Sequence, residues 1–473
     1  MLKLNIFCRF YLHSSLAILP ILALLTGCQN TAPLIKPEPV LPAHYPFQQG
    51  GTYHALPWSD YVGDPTLVRI ARLALTYNYD LKIAALRIRE AQAAYGIQRS
   101  ELWPSILGSS SYERSRVPAD LSPVGRAVTT EQYTVGVGIS QWELDLWGRI
   151  RSLNEAALQQ FFASEYNQLA VRNSIIQQSI QTYLTLAELE KRIYYAEGSV
   201  QNYEKSVRIF KRRYEVGAGS KVEYMQAQTL LSNGRALLTQ LQNVQDMTAN
   251  YLIQLIGQPV EVPRLGLDQL NFKPVVLQTG LPSELLLNRP DIRAAEALLY
   301  SQHANIQAAR AAFFPRIALT GSFGTASTEL EGLFKSGSSV WSIAPSITLP
   351  IFTAGQLKNN VILAEVRQDI AVADYEKTVQ NAFREVADAL VDQRYLSQQL
   401  QIQDQGLAAF RETARLAQLR YDNGAVGYLD VLDAQRSLLT AEQQWIETQS
   451  ALMQSYISLY FALGGDSRLV QPG

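Results

Sequence analysis

Two runs of the chain, about 149–216 and 355–423, each carry nearly 70 residues without a proline. At about 1.5 Å of rise per residue, each would make a helix close to 100 Å long. A globular core cannot bury such a length, so the runs call for a coiled-coil arrangement. A seam is legible in them. Val200, Tyr203, Val207, Phe210 and Tyr214 are spaced 3, 4, 3, 4, and Leu407, Phe410, Ala414, Ala417 and Tyr421 keep the same spacing.

The two runs belong to a larger repeat. "YDLKIAALRIREAQAAYGIQRSELWPSI" is echoed by "PDIRAAEALLYSQHANIQAARAAFFPRI", so that Trp103-Pro104 matches Phe314-Pro315 at an offset of 211 residues. Gly148 and Gly355, which open the long runs, are offset by 207, so the loops between differ by four residues. The chain is one unit written twice. Each unit also holds a glycine-bearing interruption: "RYEVGAGSKVEYMQAQ", ending at Gln228, and "RYDNGAVGYLDVLDAQ", ending at Gln435.

Between the proline and the long run, each unit reads as strands. Tyr133, Val135, Val137 and Ile139 fall on one face, with Thr134, Gly136, Gly138 and Ser140 opposite. Trp341, Ile343, Ile347, Leu349 and Ile351 fall on one face, with Ser342, Ala344, Ser346 and Thr348 opposite. The partners "SILGSSSYERS" and "RIALTGSFGTAS" alternate more loosely. Strands of about ten residues, apolar on one side and small or polar on the other, mark a membrane β-barrel. Four strands cannot close one, and an open edge in lipid leaves backbone groups unpaired. The barrel must therefore be shared: two copies give eight strands, too narrow for a substantial pore, and three give twelve.

The N-terminus supports a membrane address. Lys3 and Arg9 precede an apolar stretch from Leu16 to Leu25, which has the length of a secretory signal and not of a spanning helix. It ends in Leu-Thr-Gly-Cys28, which resembles a bacterial lipobox. That resemblance implies cleavage before Cys28, a lipid on its thiol and, with Gln29 following, sorting to the outer membrane. Cys8 lies in the leader, so the mature chain offers no disulfide. A proline-rich stretch, "NTAPLIKPEPVLPAHYPF", then reads as an extended tether.

The totals exclude other classes. The 473 residues carry a formal charge of −1, without the basic excess of a nucleic-acid binder. Of four histidines, three (His13, His44, His54) lie in the first 54 residues and the fourth is His303, so no metal-ligand cluster can be assembled. No cofactor is expected and no catalytic residue stands out, so the chain is expected not to be an enzyme.

"WELDLWGRIRS" from Trp142, "LPSELLLNRPDIRAAE" from Leu281, the paired "RY…G…" stretches and "LYFALGGD" near the C-terminus carry a family resemblance. The chain resembles the TolC-family outer membrane factors, in the lipoprotein branch that includes OprM-like and NodT-like proteins, over essentially its whole mature length. The resemblance implies a homotrimer: a twelve-stranded outer-membrane β-barrel, four strands per chain, continuous with a twelve-helix periplasmic α-barrel. The expected organisation is a signal peptide at 1–27, a tether at 28–63 and a first repeat at 64–257 with membrane strands near 105–116 and 132–142. A linker at 258–289 follows, then a second repeat at 290–464 with strands near 316–327 and 340–351, and a tail at 465–473.

The resemblance makes the interruptions hairpin tips at the periplasmic mouth, where a glycine past a helix end is the usual terminator. Gly217, Ala218, Gly219 and Ser220, with Gly424, Ala425, Val426 and Gly427, would meet a periplasmic adaptor and form the constriction. Asp430 and Asp433, three apart and on one helix face, match the family's entrance aspartates. The first copy has Glu223 and Gln226 there, so one charge is kept, and the resemblance implies a periplasmic gate of Asp430, Asp433 and Glu223. The implied function is a passive exit duct for small molecules in a tripartite pump. Its partners are an adaptor, an inner-membrane transporter of the resistance-nodulation-division (RND) type, and outer-membrane lipid. The duct of a type I protein secretion system is the alternative; the lipobox and "LPSELLLNRPDI" favour efflux. A lipid-anchored coiled-coil spacer would not need the four alternating segments.

Overall fold

The computed structural model describes residues 37, 40–47, 56–272 and 289–466. Cys28, most of the tether and part of the linker lie outside the described residues. Three helices open the chain: α1 (Trp58–Val62), α2 (Pro65–Tyr77) and α3 (Tyr79–Ser100). Strands β1 (Ile106–Val117) and β2 (Val128–Glu143) follow, then α4 (Arg149–Glu215) and α5 (Lys221–Ile256). The second repeat supplies α6 (Pro290–Ala311), β3 (Arg316–Ser327), β4 (Ser339–Thr348), α7 (Gln356–Asp422) and α8 (Tyr428–Ala462). The copies match closely in length: α3 and α6 have 22 residues each, and α4 and α7 have 67 each. Among the described residues no helix is long and apolar enough to cross a membrane.

One compact unit comprises residues 89–163 and 295–375 and holds the strands. They form a single antiparallel sheet in the order β1-β2-β3-β4, so the hairpins of the two repeats meet along the β2–β3 ladder. The register puts Tyr112 beside Tyr133, Val137 beside Phe323, and Phe323 beside Trp341. These side chains share one face, because directly paired residues point the same way. The opposite face is small and polar: Ser322 and Ser342 hydroxyls meet at 2.7 Å, and those of Ser115 and Thr130 at 2.9 Å. The apolar face lies open, with Trp341, Ile343 and Ile347 each about 70% exposed.

Strand ends differ from the expected bounds for local reasons. β2 begins at Val128, four residues earlier than its alternation suggested, because Val117 pairs with Val128 and extends the hairpin. β4 stops at Thr348, since Pro350 has no N–H to give the ladder. Pro345 lies inside β4 opposite Leu319, on a strand whose other edge has no partner among the described residues. A bulge between Ile139 and Trp142, with Gln141 at φ 51°, bends β2 as it leaves the sheet.

The "WELDLWGR" segment makes the strand-to-helix corner. Glu143 accepts two bonds from Arg149 at 2.9 Å and pairs with Arg316 at 2.7 Å, which ties β2, α4 and the start of β3 together. Asp145 accepts from the Ile150 and Arg151 N–H groups, two of the orphan donors at the start of α4. The Trp147 indole donates to the Pro315 carbonyl at 2.7 Å and its ring stacks on Phe314 at 5.0 Å. Gly148, at φ 77°, makes the turn, and Gly355 at φ 87° does the same in the second copy.

The second unit comprises residues 38–88, 164–294 and 376–473. Its core gathers α1, α2, the middle of α4, the ends of α5 and α8 and the 260–272 segment around Leu67, Ile70, Ile176, Ile180, Tyr183, Leu252 and Ile457. Asp64 caps α2 through the Thr66 and Leu67 N–H groups, while its other oxygen accepts from Asn271 at 2.8 Å. Tyr183 donates to the Pro263 carbonyl at 2.9 Å. Burial raises the Tyr183 phenol to about 12, and the nearby Asp64 charge adds to the rise.

Beyond this core the helices of the unit lie in the order α5–α4–α8–α7. α5 packs on α4 through Leu189, Ile193 and Leu241, and through Tyr203 and Leu231. Gln181 of α4 reaches Ser458 of α8 at 2.9 Å, and Asp404 of α7 accepts from Trp445 of α8. This order explains why the two copies of the seam differ. On α4, which has a neighbour on each side, Val200, Tyr203 and Phe210 are buried, although Tyr214 is not. Of the seam residues on α7, an edge helix, only Leu407 is buried; Phe410 is exposed, as are the neighbouring Ile402, Leu416 and Leu419. The other edge, α5, exposes Val222, Val244, Met247 and Tyr251.

Candidate functional site: the helical hairpin tips

Both tips close in the same way. At the first, the Ala218 N–H donates to the Arg213 carbonyl at 2.8 Å and that of Gly217 to Tyr214 at 3.1 Å. At the second, Ala425 donates to Arg420 and Gly424 to Tyr421, each at 2.8 Å. This paired pattern is the Schellman termination, which needs a left-handed residue at its turn. Gly217 at φ 72° and Gly424 at φ 71° provide it. The other glycines differ. A Cβ on Gly219 would crowd Arg213 at 2.9 Å, whereas one on Gly427 would meet nothing within 4 Å.

The returning helices start unequally. Ser220 caps α5: its hydroxyl accepts from Val222 N–H at 3.1 Å, and the Glu223 carboxylate accepts from Ser220 N–H at 3.0 Å. The Glu223 charge is thereby engaged by its own helix end as a capping box. Gly427 stands at the matching place on α8 and has no side chain to cap with. Asp430, the counterpart of Glu223, is exposed. Asp433, also exposed, pairs with Arg436 one turn on at 3.0 Å.

Aromatic side chains bind the two tips to each other. The Tyr428 ring lies 4.8 Å from Phe210 and 4.7 Å from Tyr421, and its hydroxyl meets Ser206 of α4 at 2.7 Å. Arg213 donates to the Tyr421 hydroxyl at 3.2 Å. Phe210, Ala227 and Leu432 form the small core beneath. Burial raises the Tyr428 phenol, against the Ser206 hydrogen bond. Sequence reasoning found Tyr214 and Tyr421 but missed Arg213, Ser206 and Tyr428. The available signal was a break in the repeat, where Lys221 of the first copy becomes Tyr428 in the second.

Further along, a polar layer sets α4 against α8. Arg192 donates to Gln443 at 2.7 Å and pairs with Glu188 at 3.1 Å and Glu447 at 2.7 Å. The Gln443 amide returns a bond to the Arg192 carbonyl at 3.1 Å. Burial raises the Glu188 carboxyl, against its hydrogen bonds from Ser450 and Arg192. One polar residue in an apolar seam fixes register, because a slip would leave it unpaired. Among the described residues no group of His, Cys, Asp or Glu could hold a metal ion.

Comparison with known proteins agrees with this architecture. The family model described as outer membrane efflux protein matches residues 70–258 and 281–465, one match per repeat. The chain is 40% identical over 463 residues to the solvent efflux pump outer membrane protein SrpC of Pseudomonas putida, covering 94% of this chain and 97% of that one. Among solved structures, a membrane protein from Pseudomonas aeruginosa superposes with a TM-score of 0.87 at 36% identity, covering 93% of this chain and 98% of the other. The open state of the Neisseria gonorrhoeae MtrE outer membrane channel gives 0.83 at 36% identity, covering 92% and 97%. With the repeat, the four-stranded sheet and the paired tips, these matches mean that the chain belongs to the outer membrane efflux protein family, the TolC-type outer membrane factors.

Proposed function

We propose that this chain is the exit duct of a tripartite efflux pump in the outer membrane, working as a homotrimer that passes small molecules outward without chemistry. The observation that carries this is the sheet's two-faced, two-edged construction. Its apolar face suits lipid and its serine-, threonine- and glycine-rich face suits water. The outer edges of β1 and β4 have no partner strand among the described residues. In lipid each unpaired backbone group costs several kcal/mol, so β1 of one copy pairs with β4 of the next. The exposed apolar edges of α5 and α7 meet in the same way. A periplasmic adaptor seats on the tips, and an RND-type transporter feeds the duct. Relatives named for solvent, toluene and antibiotic efflux support small-molecule cargo. A deletion strain should accumulate dyes and antibiotics while its secreted proteins are unchanged. Loss of a secreted protein with normal dye export would instead assign the duct to type I secretion.

Cys28 carries the lipid anchor in this proposal. Mass spectrometry of the mature N-terminus should find the modified cysteine; an unmodified start elsewhere would refute it. Cys28→Ser should block lipoprotein processing while the trimer persists, because the barrel itself holds the membrane.

Asp430 and Asp433 act as the charged ring of the periplasmic mouth, six carboxylates in three chains. Glu223 adds less than its count suggests, being held over the Ser220 N–H, and Arg436 offsets part of Asp433. Like charges at a narrow opening favour cations over a Debye length of about 8–10 Å. Replacing both aspartates by alanine should lower the cation-to-anion permeability ratio in planar bilayers by about twofold or more at low salt, less at high salt. An unchanged ratio at low salt would place these carboxylates away from the conducting path.

A further inference from the structure

We propose that the groove between residues 194–203 of α4 and 435–442 of α8 is a binding site for a protonated amine attached to a flat apolar group. The groove encloses a cavity of about 420 Å³, within the range of about 300–1,000 Å³ usual for small-molecule sites. Tyr194, Tyr195 and Tyr203 give it aromatic walls, and Glu197 and Glu442 give it negative charge. No lysine or arginine lines it among the described residues. Aromatic faces and carboxylates are the chemistry that recognises an organic ammonium, which here would share Glu442 with Arg411, 3.8 Å away.

Two buried polar atoms give independent support. The Tyr203 hydroxyl, on a side chain 98% buried, and the Gln435 carbonyl oxygen have no hydrogen-bond partner among the described residues. Both residues line the cavity. Buried polar groups are normally satisfied, and a turn of the Gln435 amide toward the cavity would let an ammonium N–H satisfy its oxygen. Glu442 is similarly underused. It is buried, and its ion pair to Arg411, at 3.8 Å, is too long for a hydrogen bond. Its surroundings raise its carboxyl above the ordinary range, through burial first, against the Arg411 charge. A bound cation would relieve that burial cost.

The helix order keeps the groove available. The edges through which copies would meet are α5 and α7, so the α4–α8 groove lies inside one chain's own layer. The proposal rests on the homotrimer only for that availability.

The probe is 2-naphthylmethylammonium, with 2-naphthalenemethanol and 2-naphthoate as neutral and anionic matches, titrated into the detergent-solubilised protein by calorimetry. The ammonium should bind saturably, about tenfold more tightly than the alcohol, and the carboxylate should not bind. Glu442→Gln, nearly isosteric, should remove most of that tenfold preference while leaving the alcohol unchanged. Tyr203→Phe keeps the ring that packs on Gly234 and should weaken the ammonium by about threefold. Native mass of each sample reports the trimer, so lost binding and lost assembly are told apart. Equal affinity for ammonium and alcohol, or a preference that survives Glu442→Gln, would overturn the proposal.

Discussion

Gly324→Ala should largely remove assembled protein from the outer membrane while leaving the helical hairpins folded. Gly324 of β3 pairs with Gly136 of β2 at the ladder where the two repeats join. The backbones approach closely there. A Cβ on Gly324 would overlap the Val135 carbonyl oxygen and stand 2.6 Å from the Gly136 Cα; one on Gly136 would stand 2.7 Å from the Phe323 carbonyl oxygen. All of these obstacles are backbone, so no side-chain rotation relieves them. The ladder must part, and its N–H and C=O groups have no water to turn to in lipid. Overpacking alone costs about 1–3 kcal/mol per site, and a three-chain barrel would carry it three times. Gly321→Ala is the matched control on the same strand, since its Cβ would meet the Ser342 carbonyl at an ordinary 3.5 Å. Trimer in outer-membrane fractions should fall by at least about tenfold for Gly324→Ala and stay near the parent for Gly321→Ala. Parent-level assembly of both would mean that the two hairpins need not pair closely.

Much of this architecture is written in the sequence, because it depends on period and length. A proline-free run sets a helix, alternation sets a strand, and a proline after Trp103 or Phe314 ends what precedes it. The exposed seam on α7 was not legible, since the spacing at Leu407, Phe410 and Ala414 is the same as on α4. What differs is which helix has neighbours, and that is decided by tertiary order. The state of Glu223 was also hidden. A glutamate three residues after a serine is a capping-box pattern, yet the match to Asp430 in the repeat points to the gate instead. The difference lies at position 427, where a glycine cannot do what Ser220 does. The Tyr428–Ser206 and Arg213–Tyr421 bonds join residues over 200 positions apart. No local periodicity announces such pairs.

Arg289→Met should loosen the second unit where the repeats are joined. Arg289 stands immediately before α6 and is nearly buried. Its guanidinium grips Asp291 with two bonds, at 3.0 and 2.6 Å, reaches Glu385 of α7 at 2.6 Å, and donates to the Ala462 carbonyl at 3.0 Å. That carbonyl is among the last four of α8, which have no partner within their own helix. One side chain thus ties the start of α6 to α7 and to the end of α8. Burial disfavours the charge, but the Asp291 and Glu385 carboxylates outweigh it and hold the group more firmly protonated than a free arginine. Removing one member of a fully buried pair costs about 3–5 kcal/mol. Here the carboxylates are 36% and 48% exposed and would rehydrate, so about 2–3 kcal/mol is expected. Met keeps the volume of the stem, so the loss would report the bonds and not a cavity. Arg289→Lys keeps the charge but cannot grip Asp291 through two nitrogens and reach Glu385 and Ala462 together, so about half the loss should remain. Glu385→Gln, which leaves the Asp291 grip intact, should cost least. Thermal unfolding of the solubilised protein should therefore rank parent, Glu385→Gln, Arg289→Lys and Arg289→Met in falling order. If Met and Lys melt alike, the contribution comes from the charge's geometry as a whole; if Met melts with the parent, the junction is held by the apolar core beside it.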